Sequence, residues 1–172
     1  FSQTLPIYSD DKSIENKFTS ATYHSVNDNL ILSANFLLKT INSLEDNVRI
    51  SKRVYIPSRR LRGFESGKIG PKDGDDFIGG NFATALNFNT TLPVIFENVQ
   101  NLDASIFFDV ANIWGVDYDS SINESDKIRS SIGVGIDWFS VIGPINFSLT
   151  ESISKASTDV TESFRFNIGT TF

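Results

Sequence analysis

The sequence lacks the residues on which several kinds of site depend. It contains no cysteine, no methionine and a single histidine, His24. Disulfides and thiolate metal sites are therefore excluded, and no Ser, His and Asp are spaced like a hydrolase triad. The acidic segment 115–126 lacks the spacing and central glycine of an EF-hand. We predict a chain that is not an enzyme and that has no cofactor, no metal and no catalytic residue.

Basic surfaces and long hydrophobic runs are also missing. The net charge is -6, which argues against a nucleic-acid partner. No stretch approaches the roughly 20 consecutive apolar residues of a transmembrane helix, so contact with a bilayer would have to be made by strands. The chain begins at Phe1 without a methionine. We interpret it as an internal or C-terminal piece of a longer protein.

The sequence has instead an alternation of apolar and polar residues with a period of two. In KIRSSIGVGIDWFS (127–140), the even positions are mostly Ile, Val and Trp, and the odd positions are polar or glycine. This is the period of a β-strand. We predict an all-β, antiparallel chain of about nine strands and no convincing helix. The other predicted strands lie near residues 1–8, 14–25, 29–39, 46–56, 81–89, 101–114, 144–151 and 162–172.

Two environments produce such alternation, a soluble β-sandwich and a membrane β-barrel. Several strands reach the roughly ten residues that cross a bilayer at a tilt. Aromatic residues lie at strand ends, as in the girdles of membrane barrels, at Trp114, Tyr118, Trp138 and Phe172. The connections alternate between long and short, at 57–79, 93–100, 115–126, 140–144 and 155–160. We favour the membrane barrel and keep the sandwich as an alternative.

Four motifs in a fixed order resemble one family. Arg62-Gly63-Phe64, followed by a glycine-rich stretch and Gly79-Gly80-Asn81, resembles the RGF loop of bacterial outer-membrane assembly factors of the BamA type, which carry a surface antigen domain. The other three motifs are FFDVANIW (107–114), GVGIDWFSVIGPINFSL (133–149) and FRFNIGTTF (164–172). The resemblance is strong over residues 53–172 and rests on the strand pattern before that.

The resemblance implies a fold and a function. The family has a sixteen-stranded antiparallel transmembrane barrel in the outer membrane, behind periplasmic POTRA repeats. Residues 1–172 would be the C-terminal part of the barrel domain, about nine strands, without the POTRA repeats and the N-terminal barrel strands. The function implied is insertion and folding of nascent outer-membrane proteins by strand pairing at a weak lateral seam. The alternative is a TamA-like or two-partner secretion pore for protein translocation.

The same resemblance implies partners and an internal contact of the loop. The partners are nascent outer-membrane β-barrel proteins, accessory assembly lipoproteins, and outer-membrane lipid or lipopolysaccharide. The long extracellular loop would fold into the lumen, where Arg62 meets Asp109. The alternation by itself places Asp109 on the polar face. Relatives often have a second acid where this chain has Asn87, so Asp109 would pair alone or with help from Asp137.

The residues beside Arg62 have expected roles as well. Gly63 would allow a tight bend and a close backbone approach. Phe64 would pack against the lumen wall. Arg59 and Arg60 are expected to be solvated, or to lie near lipopolysaccharide phosphates at the outer surface.

The last strand, ESFRFNIGTTF, is the expected seam strand. It would close the barrel by pairing with a first strand outside this chain, and an incoming client strand would pair with its exposed backbone. Gly169 has little side chain to pack and would loosen the pairing. The apolar side of the strand is formed by Phe164, Phe166, Ile168 and Phe172.

Overall fold

The computed structural model describes residues 1–6, 12–27, 30–92, 101–141 and 143–169. An eight-stranded sheet contains β1 (Ser2–Thr4), β2 (Ser13–Asn27), β3 (Leu30–Ser43), β6 (Phe82–Thr91), β7 (Leu102–Trp114), β8 (Arg129–Ser140), β9 (Gly143–Ser154) and β10 (Phe164–Ile168). A separate hairpin pairs β4 (Lys72–Asp73) with β5 (Asp76–Phe77). Short 3₁₀ turns occur at Ile50–Lys52, Ser58–Arg60 and Ser120–Ile122.

None of the helical turns in these described ranges is long and apolar enough to cross a membrane.

The large sheet is an antiparallel meander. Each of its strands pairs with the strand that follows it in the chain, and only the separate hairpin of β4 and β5 interrupts this order. The registers of β6, β7 and β8 align three polar residues in one row across the sheet. Asn87 lies opposite Asp109, and Asp109 lies opposite Ser131. Since side chains alternate between the faces, this row belongs to one face.

The two faces of the sheet have the exposure expected of a membrane barrel. On β7 and β8 the apolar side chains of Ile106 and Val134 are 43% and 48% exposed. The neighbouring Asp109 and Ser131, on the opposite face, are 0% exposed. A soluble sandwich buries its apolar face against a second sheet, whereas a membrane barrel turns that face to lipid. The predicted direction of the apolar faces is therefore confirmed, and the sandwich is excluded.

A long loop, residues 44–81, covers the inner face of the sheet. Apolar loop side chains pack there against small or aliphatic inward residues of β3, β6 and β7. Because Ala83, Ala85 and Ala111 project little from the strands, the loop can approach the sheet closely. The buried cluster consists of Leu37, Ile41, Val48, Val54, Ile56, Leu61, Phe64, Ile69, Ala83, Ala85, Ala111 and Ile113.

The predicted strand near 46–56 is wrong. This segment belongs to the loop: it contains a 3₁₀ turn, and Val54 makes only an isolated bridge to Gly80. Its buried apolar residues, Val48, Val54 and Ile56, belong to the cluster between the loop and the inner face of the sheet instead of facing outward along a strand. The described part of the large sheet consequently has eight strands where about nine were expected.

The sheet is open at both ends. β1 and β10 are its terminal strands, and each has one neighbour within the described residues. β10 pairs with β9 over five positions, from Phe164 opposite Leu149 to Ile168 opposite Ile145. Open edges are not tolerated in hydrocarbon because their backbone groups lack partners. The sheet is therefore part of a larger barrel.

Candidate functional site: the arginine loop on the inner face

Arg62 is bound to Asp109 on the inner face of β7. Its Nε and Nη2 donate to Oδ2 and Oδ1 at 2.8 Å each, and its backbone N–H donates to Oδ2 at 3.1 Å. The Asp109 side chain is 0% exposed and that of Arg62 21%. The guanidinium also lies over the ring of Phe107, 3.4 Å from its centroid. A forked, stacked pair of this kind requires arginine, because lysine has no planar fork.

Asn87 on β6 completes the site. Its Nδ2 donates to Asp109 Oδ1 at 2.8 Å and to the carbonyl of Arg60 at 2.9 Å. Its Oδ1 accepts from Arg60 Nη1 at 3.3 Å. Asn87 adds no charge. It orients the carboxylate and ties the loop backbone to β6, a role that sequence reasoning missed.

The bend at Gly63 brings the loop backbone against β8 and β9. Gly63 has a φ of +86°, which favours glycine. A Cβ at this position would lie 2.5 Å from Cγ2 of Thr150. Next to it, Ser131 Oγ donates to the carbonyl of Arg62 at 2.6 Å. Glycine thus serves both the backbone conformation and the close packing.

Phe107 has room beneath Arg62 because a glycine lies opposite it. Phe107 is 1% exposed, and its register partner on β8 is Gly133. A Cβ on Gly133 would lie 2.5 Å from Phe107 Cζ and 2.3 Å from the carbonyl oxygen of Leu149. Sequence reasoning did not assign this ring to the site. An inward phenylalanine facing a glycine was the available signal.

Phe64 and its neighbours pair with the segment that precedes β10. Phe64 is 2% exposed and forms an antiparallel bridge with Thr161. Backbone hydrogen bonds run from Glu65 N to Val160 O at 2.9 Å and from Glu162 N to Gly63 O at 3.0 Å. The loop is therefore joined to this segment by backbone pairing as well as by side chains.

A second arginine, Arg53, fastens the base of the loop to segment 115–128. It donates to Asp117 Oδ1 at 2.5 Å and to Asn81 Oδ1 at 3.0 Å. Burial disfavours the charged carboxylate of Asp117. Hydrogen bonds from the Val48 backbone and from the Asn81 and Arg53 side chains nevertheless lower the pKa of Asp117. The carboxylate is thus retained in its charged form as part of the contact.

A third arginine, Arg129, joins segments 115–128 and 155–163. Its Nε and Nη2 donate to Asp159 at 2.9 Å each, and it also pairs with Glu124. The side chains of Arg129 and Asp159 are both 0% exposed. Two carboxylates of the acidic segment, Asp117 and Glu124, are thus bound to arginines. Across the described ranges, no three acidic, His or Cys side chains are grouped to hold a metal ion.

Some predicted residues lie elsewhere than expected. Asp137 accepts a hydrogen bond from Asn146 Nδ2 at 2.6 Å, and the ion pair of Arg62 among the described residues is with Asp109. The structure therefore does not bring Asp137 to Arg62 as a second acid. Arg60 is half-buried beside Asn87 on the inner face, and Arg59 is exposed. An approach of either to lipopolysaccharide phosphates stays a prediction.

Four of the five residues of the predicted seam lie on β10 or just after it. The apolar side chains Phe164, Phe166 and Ile168 are 53%, 45% and 58% exposed. Gly169 follows the strand with a φ of +98°, and its N–H donates to the carbonyl of Pro144 at 2.8 Å. Phe172 lies outside the described residues.

Proteins of known structure and sequence resemble this chain. The crystal structure of BamA from Haemophilus ducreyi lacking POTRA domains 1–3 matches with a TM-score of 0.85 and 27% identity, over 95% of this chain and 36% of that one. The outer membrane protein assembly factor BamA of Neorickettsia risticii is 28% identical over 128 residues, which is 73% of this chain and 17% of that protein.

Two further proteins with the same name show similar values. That of Neisseria meningitidis is 27% identical over 139 residues, 65% of this chain and 17% of its own length. That of Nitratidesulfovibrio vulgaris is 28% identical over 149 residues, 83% of this chain and 18% of its own length. The chain thus spans less than a fifth of these relatives.

The comparisons agree with the arrangement of the strands. They confirm the predicted class, part of an antiparallel transmembrane β-barrel, and the predicted location in the outer membrane. The family model that describes the Omp85 superfamily domain matches residues 1–172. With its meander of strands, its outward apolar faces and its inward arginine loop, this chain belongs to the Omp85 superfamily.

Proposed function

We propose that this chain is the C-terminal part of an outer-membrane protein assembly factor. Residues 1–172 would form the last strands of a barrel domain that also has an N-terminal half and follows POTRA repeats. The proposal is supported by relatives named as outer membrane protein assembly factors. The observation that carries it is the structural match over 95% of this chain, with a TM-score of 0.85, to BamA of Haemophilus ducreyi.

The edge of β10 can accept a client strand. An exposed strand edge presents N–H and C=O groups that pair with an added strand, which is β-augmentation. The outward face of β10, with Phe164, Phe166 and Ile168, then continues the apolar surface toward lipid. Strand exchange makes and breaks hydrogen bonds and no covalent bond. The proposed work is therefore non-enzymatic.

The arginine loop has a supporting role in this proposal. The ion pair of Arg62 with Asp109 acts as a latch that fixes the loop on β6 to β9, with Gly63 and Phe64 fitted against the same wall. Because the loop holds β6 to β9 together from the inside, separation of strands is confined to the edge at β10. Breaking the latch removes that brace.

The partners follow from the same proposal. The clients are nascent outer-membrane β-barrel proteins in general. Accessory assembly lipoproteins and lipopolysaccharide are proposed from the family resemblance. The secretion-pore alternative remains an outcome of the experiment below.

The test is depletion of the full-length protein in its own host, with and without a plasmid copy. We expect the amounts of many unrelated outer-membrane barrel proteins to fall together, measured by quantitative mass spectrometry of outer-membrane fractions, and to recover with the plasmid copy. Inner-membrane proteins serve as the control. Loss of one secreted protein, with barrel proteins unchanged, would overturn the assembly function in favour of a secretion pore.

A further inference from the structure

Arg165 links the last strand directly to the arginine loop. It lies on the inward side of β10, between the outward Phe164 and Phe166. Its Nη1 donates to the carbonyl of Ser58 at 3.1 Å and its Nη2 to the carbonyl of Phe64 at 2.6 Å. These carbonyls stand on opposite sides of Arg62 in the chain. One guanidinium therefore spans both arms of the loop.

Glu162 orients this guanidinium. Its Oε2 accepts from Nε and Nη2 of Arg165 at 3.0 and 2.7 Å. The Arg165 side chain is 13% exposed, so its contacts are largely shielded from water. Charge-assisted hydrogen bonds are stronger than neutral ones, and the planar fork of arginine is suited to several acceptors at once.

The remaining contacts of β10 are few. Within the described residues, the strand has five register pairs with β9, compared with ten between β7 and β8. Its outward side chains are exposed. On the inward side a cavity of about 390 Å³ lies beside Arg62, Asp137, Arg165 and Asn167. Among the described residues, the hydrogen bonds of Arg165 are the side-chain contacts that join β10 to the arginine loop.

We propose that Arg165 is a positioning residue that ties β10 to the arginine loop. Local opening of this last strand therefore depends on the ion pair between Arg62 and Asp109. The loop touches β7 through Asp109 and β10 through Arg165, and it therefore connects a central strand of the wall with the last strand. The inference deepens the proposed assembly function, on which its biological meaning rests, by naming the contact that restrains the seam strand.

The experiment measures hydrogen–deuterium exchange of residues 164–168 in the full-length protein in lipid nanodiscs, without a client. The variants are Arg165→Gln, Asp109→Ala and the double variant. Arg49→Gln is the matched control, since it makes the same chemical change at an exposed loop position. Loss of charged hydrogen bonds should speed exchange of β10 about tenfold or more in Arg165→Gln. Arg49→Gln should leave it unchanged.

The double variant separates a tie from independent contributions. If Arg165 is what couples the loop to β10, Asp109→Ala speeds the exchange of β10 in the otherwise unmodified protein. The same substitution adds little when Arg165→Gln is already present. Exchange of β2 and β3, which lie away from these contacts, reports that the barrel is folded. Should Arg165→Gln prevent folding, Arg165→Lys keeps the charge without the fork, and it should give an intermediate rate.

Two results would overturn the inference. One is β10 exchange in Arg165→Gln, or in Arg165→Lys where that variant replaces it, equal to that of Arg49→Gln. The other is a double variant whose two effects simply multiply. Because no client is present, this outcome is independent of the depletion experiment. The tie can therefore fail while the assembly function stands, and the reverse also holds.

Discussion

The inner and outer faces of β7 and β8 differ in both chemistry and exposure. On the inner face Phe107, Asp109 and Ser131 are buried under the loop and joined to it by an ion pair, a ring contact and a hydrogen bond. On the outer face Ile106 and Val134 are exposed, and their side chains are apolar. The same strands therefore depend on specific polar contacts on one side and on the surrounding lipid on the other.

This difference predicts different responses to substitution. An inner residue has named partners, so that its removal leaves a buried group unsatisfied. An outer residue faces hydrocarbon, so that only its polarity and its depth in the bilayer should matter. The two faces can be tested separately because they alternate along each strand.

The largest effect is expected from Asp109→Ala on the inner face. The substitution leaves the Arg62 guanidinium and the Asn87 amide without their shared acceptor. Breaking a buried ion pair costs about 3–5 kcal/mol. Asp103→Ala on the same strand is the control, since Asp103 is exposed, and it should change the unfolding free energy by less than about 0.5 kcal/mol. Denaturant titration of the full-length protein in lipid measures both, and equal effects would contradict the latch.

Val134→Arg tests the outer face at mid-strand. Val134 is 48% exposed on β8. An arginine facing lipid near the bilayer midplane costs about 2–4 kcal/mol, falling to about 0–1 near the interface. Ile128→Arg, just before β8 and 60% exposed, is the depth control and should cost little. The same titration applies, and an unchanged stability of Val134→Arg would argue against lipid at this face.

Gly63→Ala tests whether the close approach of the loop backbone to β9 contributes to stability. Both Gly63 and Gly67 have positive φ, but only the Cβ at Gly63 would meet Thr150. Strain at such a position costs about 1–3 kcal/mol. Gly67→Ala should therefore lie near the lower end of this range and Gly63→Ala at or above the upper end. The two unfolding free energies, measured side by side, would be indistinguishable if the contact with Thr150 were unimportant.

The smallest effect concerns pH and the loop base. The pKa of Asp117 in the folded protein is lowered from its usual 3.8. The carboxylate therefore contributes fully to stability when the pH is above 3.8, and this contribution is lost as the pH falls through the lower pKa of the folded state. Exchange of the Val48 amide, which donates to Asp117, should show this loss at acidic pH. Asp117→Asn should remove the pH dependence. Identical pH profiles of the original protein and Asp117→Asn would refute a stabilising role of the Asp117 carboxylate.

The strands were predictable because the apolar side chains follow a simple rule. A strand between lipid and lumen must alternate with a period of two, and residues 102–114 and 129–140 do so. The segment 46–56 follows the same rule for another reason. Val48, Val54 and Ile56 pack between the loop and the sheet, whereas Ile50 is exposed, so the alternation alone does not show which surface the apolar residues contact.

The partners of long side chains were less predictable. Arg165 reaches carbonyls more than a hundred positions earlier in the chain, and Arg129 reaches Asp159 across two loops. Such contacts depend on how loops fold over the sheet, which alternation does not encode. The sequence indicates only that Asn87 brings no charge to its position. Its bridging role became visible only with the register that sets it beside Asp109.

The most direct measurement of the central claim is a charge swap between the loop and the wall. The full-length protein would carry Arg62→Asp, Asp109→Arg or both, and exchange of the amides of residues 61–65 would report loop release. Each single variant places two like charges together and should speed exchange strongly. The account predicts that the double variant recovers part of the protection. A double variant as poorly protected as the singles would contradict it.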